Sequence, residues 1–199
     1  MIYIVGIGPG HKDYMLNKSI DILENSDIII GFSRAIDSIN FIDVKKEKID
    51  SLKGILEKLK NSDENISLVA SGDPNFFGIA EYIKKNLDKD ISVIPGISSF
   101  QYLTSKLNKS WSNAYTGSMH AREGYFLEKI NENNLSIWLC DKKNTPVELC
   151  RILNKENIEC KVFIGEKLSY EDERIVFGSP KEFLNESFGD LSILIVERV

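Results

Sequence analysis

Residues 1–13 read MIYIVGIGPGHKD. An apolar run of strand length opens straight into clustered glycines, as a buried strand does when it feeds a ligand-binding loop at its carboxyl end. The nearest comparison is the dinucleotide fingerprint Gly-x-Gly-x-x-Gly, whose helix N-terminal amides receive a pyrophosphate. Gly6 and Gly8 have that interval, but His11 stands where the third glycine belongs, and Pro9 takes an N–H out of the loop. A nicotinamide dehydrogenase is therefore the weaker reading. What stays is a tight glycine turn that lets a ligand come close to bare backbone.

The same plan recurs twice. The apolar segment 66–70 runs into ASGDPNFFG (70–78), where Gly72 and Gly78 bracket Asp73-Pro74 beside Phe76 and Phe77. The segment 91–94 runs into IPGISSFQ (94–101), where Pro95-Gly96 turns the chain and Ser98 or Ser99 caps a helix. Ordinary turn chemistry accounts for each short motif alone. Three glycine-bearing loops at three strand ends, however, fall on one edge of one sheet. None carries the Lys-Ser/Thr pair of a triphosphate loop, which excludes that class. One carboxylate, aromatic surface and open backbone suit a neutral or cationic heterocycle better than a polyphosphate.

Outward from these loops, strand-length runs at 2–5, 28–30, 66–70 and 91–94 alternate with helix-period segments at 14–25, 51–59 and 79–87. That is a βαβ series with buried parallel strands. In 51–59 the residues Leu52, Ile55, Leu56 and Leu59 keep helical spacing behind Ser51, a suitable N-cap. The polar stretch NKSWSN (108–113) interrupts the pattern. A second series comes after it, with strands expected at 114–118, 136–140, 160–164, 174–177 and 193–196 and helices at 123–130, 146–154 and 180–185. The expected fold is α/β with two domains, 1–110 and 111–199, and the default ligand site is a cleft between them.

Composition sets the outer bounds. A chain of 199 residues that is 42% hydrophobic can bury a sizeable core. Its 25 Lys+Arg against 30 Asp+Glu give a formal charge of -5, which disfavours non-specific binding to nucleic acid or anionic lipid. Basic sites must be local, and the candidates are His11 and Lys12 after the first loop, Arg34 after the second strand, and His120 and Arg122 in SMHARE. Cys140, Cys150 and Cys160 lack both disulfide-framework and metal-ligand spacing and read as reduced core thiols, so no metal is expected. No cationic leader or membrane-length apolar run is present, so a cytoplasmic location is expected. No Ser-His-Asp, CxxC or HExxH arrangement exists to support a hydrolase or metalloenzyme.

Taken in order, VGIGPG, SGDPNFFG and PGISS resemble the glycine loops of the tetrapyrrole methylase superfamily, whose members use S-adenosylmethionine. GFSRAID, PGISSFQYLTSKLNKSW, SMHARE and EKLSYEDERI extend the resemblance along nearly the whole chain, to the branch that methylates carbon 5 of cobalt-precorrin-7 in corrin biosynthesis. The resemblance implies two αβα domains with the cofactor in the cleft between them, a homodimer, and a tetrapyrrole substrate. Carried onto this chain, Pro9, Ser71, Gly72, Asp73, Phe76, Ser98, Ser99, Leu139 and Cys140 would contact S-adenosylmethionine, Asp73 through its ribose or amino group. Gly10, Lys12, Arg34, His120 and Arg122 would face the macrocycle, with His120 as a possible proton acceptor. Ala121 stands where the branch often has glycine, and Phe32, Ser33 and Ile36 also depart from its usual residues. The chain ends at Val199 without an appended methyltransferase domain, so a separate protein would methylate carbon 15 and decarboxylate the acetate arm. The rival readings are another superfamily enzyme, acting on a different precorrin carbon, diphthine or ribosomal RNA, and a non-catalytic module that binds the cofactor or a tetrapyrrole.

Overall fold

The computed structural model describes residues 1–119 and 125–198, and the chain divides into two compact units, Met1–Ser99 and Phe100–Val199. In the first, β1 (Ile2–Gly6), β2 (Ile28–Gly31), β3 (Lys46–Lys48), β4 (Ile66–Ala70) and β5 (Ile91–Ile94) form one sheet in the order β3-β2-β4-β1-β5. Every pairing in it is parallel, with Ile4 of β1 opposite Leu68 of β4 on one side and Val93 of β5 on the other. Helices α1 (Asn17–Glu24), α2 (Ser33–Asp37), α3 (Leu52–Lys60) and α4 (Ala80–Asn86) supply the crossovers.

Side-chain alternation along the strands decides which helix covers which face. Ile2, Ile4, Ile28, Ile30, Ile66 and Leu68 pack against Ile55, Leu56 and Leu59 of α3 and Ala80 and Ile83 of α4. Val5, Ile29 and Val69 point the other way, onto Leu23 of α1 and Ala35 and Ile36 of α2. Adjacent strands β1 and β4 thus send the chain after them to opposite faces of the sheet. Such a reversal leaves a crevice at the carboxyl ends of the two strands, where open α/β sheets bind ligands.

Two elements of this unit lie outside the sequence expectation. Strand β3, Lys-Glu-Lys, is a polar edge strand paired only with β2. Helix α2 is five residues long, too short for an apolar period to show. The helix expected over 14–25 begins later, at Asn17, after a 3-10 turn over Lys12–Tyr14.

The second unit contains most of α5 (Ser99–Lys106), followed by β6 (Tyr115–Ser118), α6 (Phe126–Glu132), β7 (Leu135–Leu139), α7 (Pro146–Lys155), β8 (Cys160–Glu166), β9 (Arg174–Gly178) and β10 (Ser192–Arg198). Its sheet has the order β6-β7-β10-β8-β9. Only the β6–β7 pair is parallel; β10 runs antiparallel to both β7 and β8, and β9 antiparallel to β8. Trp138, Val162, Ile164, Leu194 and Val196 form a core with Phe126 and Ile130 of α6 and Leu149, Cys150 and Leu153 of α7. Leu103 of α5 packs where Gly165 of β8 leaves room for it, and Phe100 lies edge-on to Trp111 with ring centroids 5.1 Å apart. The polar stretch 108–113 therefore comes after a helix that already packs within this unit. The helix expected over 180–185 is a single 3-10 turn, Pro180–Phe183, closed by a capping box between Ser179 and Glu182.

Candidate functional site

Three loops leave the carboxyl ends of β4, β1 and β5, which are neighbours in the sheet. They meet backbone to backbone. The N–H of Gly72 donates to the carbonyl of Gly8 at 2.7 Å, and the N–H of Gly8 to the carbonyl of Gly72 at 3.4 Å, an isolated antiparallel bridge between the first and second loops. Gly8 and Gly72 have φ of 74° and 67°, the left-handed region that favours glycine. The third loop closes on the other two so tightly that a Cβ at Gly96 would lie 2.1 Å from the carbonyl oxygen of Gly72 and 3.0 Å from Cα of Gly6. Only hydrogen fits there. From behind, the buried hydroxyl of Ser19 in α1 donates to the carbonyl of Gly6 at 2.9 Å and fixes the end of β1.

The one carboxylate in these loops, Asp73, uses both oxygens inside them. Oδ1 accepts from the N–H of Asn75 at 2.7 Å, and Oδ2 accepts from the N–H of Gly96, in the third loop, at 3.1 Å. Pro74 is buried, and its carbonyl accepts from Ala80 N–H at 3.1 Å, which leads the loop into α4. Phe76 and Phe77 pack edge to face, centroids 4.8 Å apart, and Phe77 is 41% exposed. Around Gly72 the space is open: a Cβ there would meet only Cα of Ser98, at 3.7 Å. The site therefore presents bare, open backbone at Gly72, one aromatic pair and no phosphate-binding lysine.

Of the residues singled out in the sequence, Pro9, Gly10, Ser71, Gly72, Asp73, Phe76, Ser98 and Ser99 all lie on these three loops or directly after them. Ser98 is buried, while Ser71 is exposed. His11 closes the 3-10 turn after the first loop by accepting the N–H of Asp13 at Nδ1, 3.3 Å away. Lys12 sits in that turn and Arg34 in α2, which comes after β2, the neighbour of β4; both side chains are exposed. Leu139 and Cys140 belong to the second unit, Leu139 as the last residue of β7 and Cys140 directly after it: the Leu139 carbonyl accepts from Met119 N–H at 2.9 Å, and Cys140 N–H donates to the Ser192 carbonyl at 3.1 Å. His120 and Arg122 lie outside the described residues.

All three thiols are shifted above their ordinary range. Burial, with neighbouring thiols adding to it, pushes Cys140 far up and Cys150 up to about 12; burial also raises Cys160. Among the described residues no three His, Cys, Asp or Glu side chains gather as metal ligands, and no helix is long and apolar enough to cross a membrane. Ser19 is the site residue that sequence reading missed. Its signal is a small polar residue on the buried face of α1, one turn from the buried Leu23.

A doubly wound parallel sheet with three glycine loops joined at its switch point, followed by a mixed α/β unit, defines a class of α/β proteins that bind a ligand against backbone rather than through a phosphate loop. Within that class the chain belongs to the tetrapyrrole (corrin/porphyrin) methylases, whose family model matches residues 1–183. It is 34% identical to a probable cobalt-precorrin-7 C(5)-methyltransferase of Methanocaldococcus jannaschii, over 99% of this chain and 98% of that protein. It is 26% identical to the cobalt-precorrin-7 C(5)-methyltransferase of Salmonella typhimurium, over 88% of this chain and 89% of that one. The solved structure of a cobalamin-biosynthesis precorrin-6Y methylase from Archaeoglobus fulgidus superposes with a TM-score of 0.77 at 25% identity, covering 100% of this chain and 98% of that one.

Proposed function

We propose that this chain is an S-adenosylmethionine-dependent C-methyltransferase that methylates carbon 5 of a precorrin-7 macrocycle, cobalt-bearing or metal-free. The observation that carries the reading is the end-to-end similarity to a protein named for that reaction, on a chain whose first unit joins three glycine loops around open backbone at Gly72. That site fits the methyl donor: it leaves open space against backbone at Gly72 and sets an aromatic pair nearby for a cationic, adenine-bearing molecule, and it has no triphosphate machinery to suit a nucleotide.

In this reading Pro9, Ser71, Gly72, Phe76, Ser98 and Ser99 hold the donor, Asp73 stabilises the loops that do so, and Leu139 and Cys140 complete the set. The sulfonium, when bound, supplies an electrophilic methyl group and a neutral thioether leaving group. The chain's task is then alignment. Holding the acceptor carbon within roughly 3–3.5 Å of the methyl converts an encounter into an intramolecular step, worth about 7–11 kcal/mol of barrier in favourable cases. Gly10 gives close access, and Lys12, Arg34 and Arg122 pair with the carboxylates of the macrocycle, against the chain's net negative charge. His120 is the candidate to take the proton that the ring gives up afterwards.

The same reading includes a homodimer, a separate protein for methylation at carbon 15 with decarboxylation, and a cytoplasmic setting, in keeping with three unpaired thiols. Incubation of the purified protein with labelled S-adenosylmethionine and a precorrin-7 preparation tests the activity. Label in the macrocycle together with S-adenosylhomocysteine supports it; cofactor binding without turnover would instead identify a carrier or sensor.

A further inference from the structure

The geometry points to Asp73 as a positioning residue that ties the second glycine loop to the third, so that its effect on the methyl donor passes through the backbone of Gly96. This rests on the methyltransferase reading, and it replaces a direct contact between Asp73 and the ligand. Three observations carry it. Both carboxylate oxygens already have backbone partners, Oδ1 the N–H of Asn75 at 2.7 Å and Oδ2 the N–H of Gly96 at 3.1 Å. The first bond folds Asp73's own loop; the second spans 23 residues to a different loop. Gly96 is also where the backbones crowd, since its Cα faces the carbonyl of Gly72 and Cα of Gly6 with no room for a methyl group.

The third loop needs such a tie because of its place in the chain. Two residues after Gly96 comes the buried Ser98, and at Ser99 the chain ends the first unit and begins α5. A loop from which the chain departs has no second strand of its own unit to hold its far side. The bond from Asp73, 3.1 Å long, supplies that hold through a charged acceptor, which strengthens a hydrogen bond relative to a neutral acceptor. An asparagine could keep the Asn75 bond through its carbonyl, but its amide would present N–H where Gly96 also presents N–H. Asp73→Asn is therefore a selective cut: it leaves the local turn and opens the tie between loops.

The test measures amide exchange and ligand affinity in the same full-length protein. In the ligand-free wild type, Gly96 N–H is expected to exchange as slowly as the amides of the β1–β5 ladder; fast exchange there would overturn the proposal without any variant. Asp73→Asn is expected to speed exchange at Gly96 at least tenfold and weaken S-adenosylhomocysteine binding about tenfold or more by calorimetry, with a melting temperature within a few degrees of wild type. Lost affinity with Gly96 exchange unchanged would show that Asp73 touches the ligand directly and would overturn the proposal. Faster exchange with affinity unchanged would overturn it too, because the third loop would then not position the donor. If the wild type itself bound no S-adenosylhomocysteine, the methyltransferase reading would fall, while exchange at Gly96 would still report on the tie.

Discussion

At Gly96 a single methyl group decides whether three loops can meet. An alanine there would place Cβ 2.1 Å from the carbonyl oxygen of Gly72, backbone against backbone, and no rotamer change relieves that contact. Gly96→Ala is expected to cost about 3 kcal/mol, the upper end of ordinary overpacking, and to abolish S-adenosylhomocysteine binding, read by urea unfolding and calorimetry. Gly72→Ala makes the contrast. Its Cβ has space, with Cα of Ser98 at 3.7 Å, so the cost is confined to its φ of 67°, about 1–2 kcal/mol for a side chain in the left-handed region. If the two variants lost equal stability, close backbone packing would not be what requires Gly96. The glycines were legible in the sequence because each sits at a fixed interval after an apolar run. The partners of Asp73 and Ser19 were not, because Gly96 is 23 residues from Asp73 and Gly6 is 13 from Ser19, and only the fold brings them together.

At the scale of elements, caps and buried thiols set measurable increments. Thr145 begins α7 by accepting the N–H of Glu148 at 3.3 Å, with Pro146 in the first turn. Thr145→Ala should lower stability by about 1 kcal/mol and leave cofactor affinity unchanged, checked by thermal unfolding and calorimetry. On the buried face of α7, Cys150 has its thiol pushed from the ordinary 9.0 up to about 12. Between those values the unfolded chain gives up the proton and the folded one keeps it, so stability falls as pH rises, by up to about 1.4 kcal/mol per pH unit for each such thiol. The contribution is intact below pH 9. Cys150→Ala should therefore flatten the decline in urea midpoint between about pH 9 and 11; an unchanged slope would contradict the burial of this thiol. The parallel sheet of the first unit was readable from its continuous isoleucine and valine runs, whereas β3 was not. Its Lys46 and Lys48 belong to an edge strand, and the Lys46 ammonium donates to the carbonyls of Ile42 and Val44 instead of entering a core. The antiparallel course of β10 was equally hidden, since a strand covered on both faces has the same apolar run in either direction.

At the scale of the molecule, in the proposed reading a chain of net charge -5 takes on a substrate bearing several carboxylates, so in that reading a few local cations do the recognition. Arg34→Ala is expected to raise the macrocycle's KM about tenfold and leave S-adenosylhomocysteine affinity within about twofold, because Arg34 is exposed on α2 rather than on the three joined loops. Equal losses of both would assign Arg34 to folding. Family and reaction class were legible through resemblance, carried by three motifs that occur in order at strand ends; the backbone geometry behind those motifs pointed only to a ligand site. Substrate contacts were less so, since exposed cations on short elements carry no period, and two of the candidates, His120 and Arg122, lie outside the described residues. The most direct measurement is the position of the transferred methyl group. With S-adenosylmethionine carrying a carbon-13 methyl and a precorrin-7 substrate, mass spectrometry should show one added methyl and NMR should place it on carbon 5. A methyl on another ring carbon, or none in the presence of bound cofactor, would contradict carbon-5 methylation by this chain.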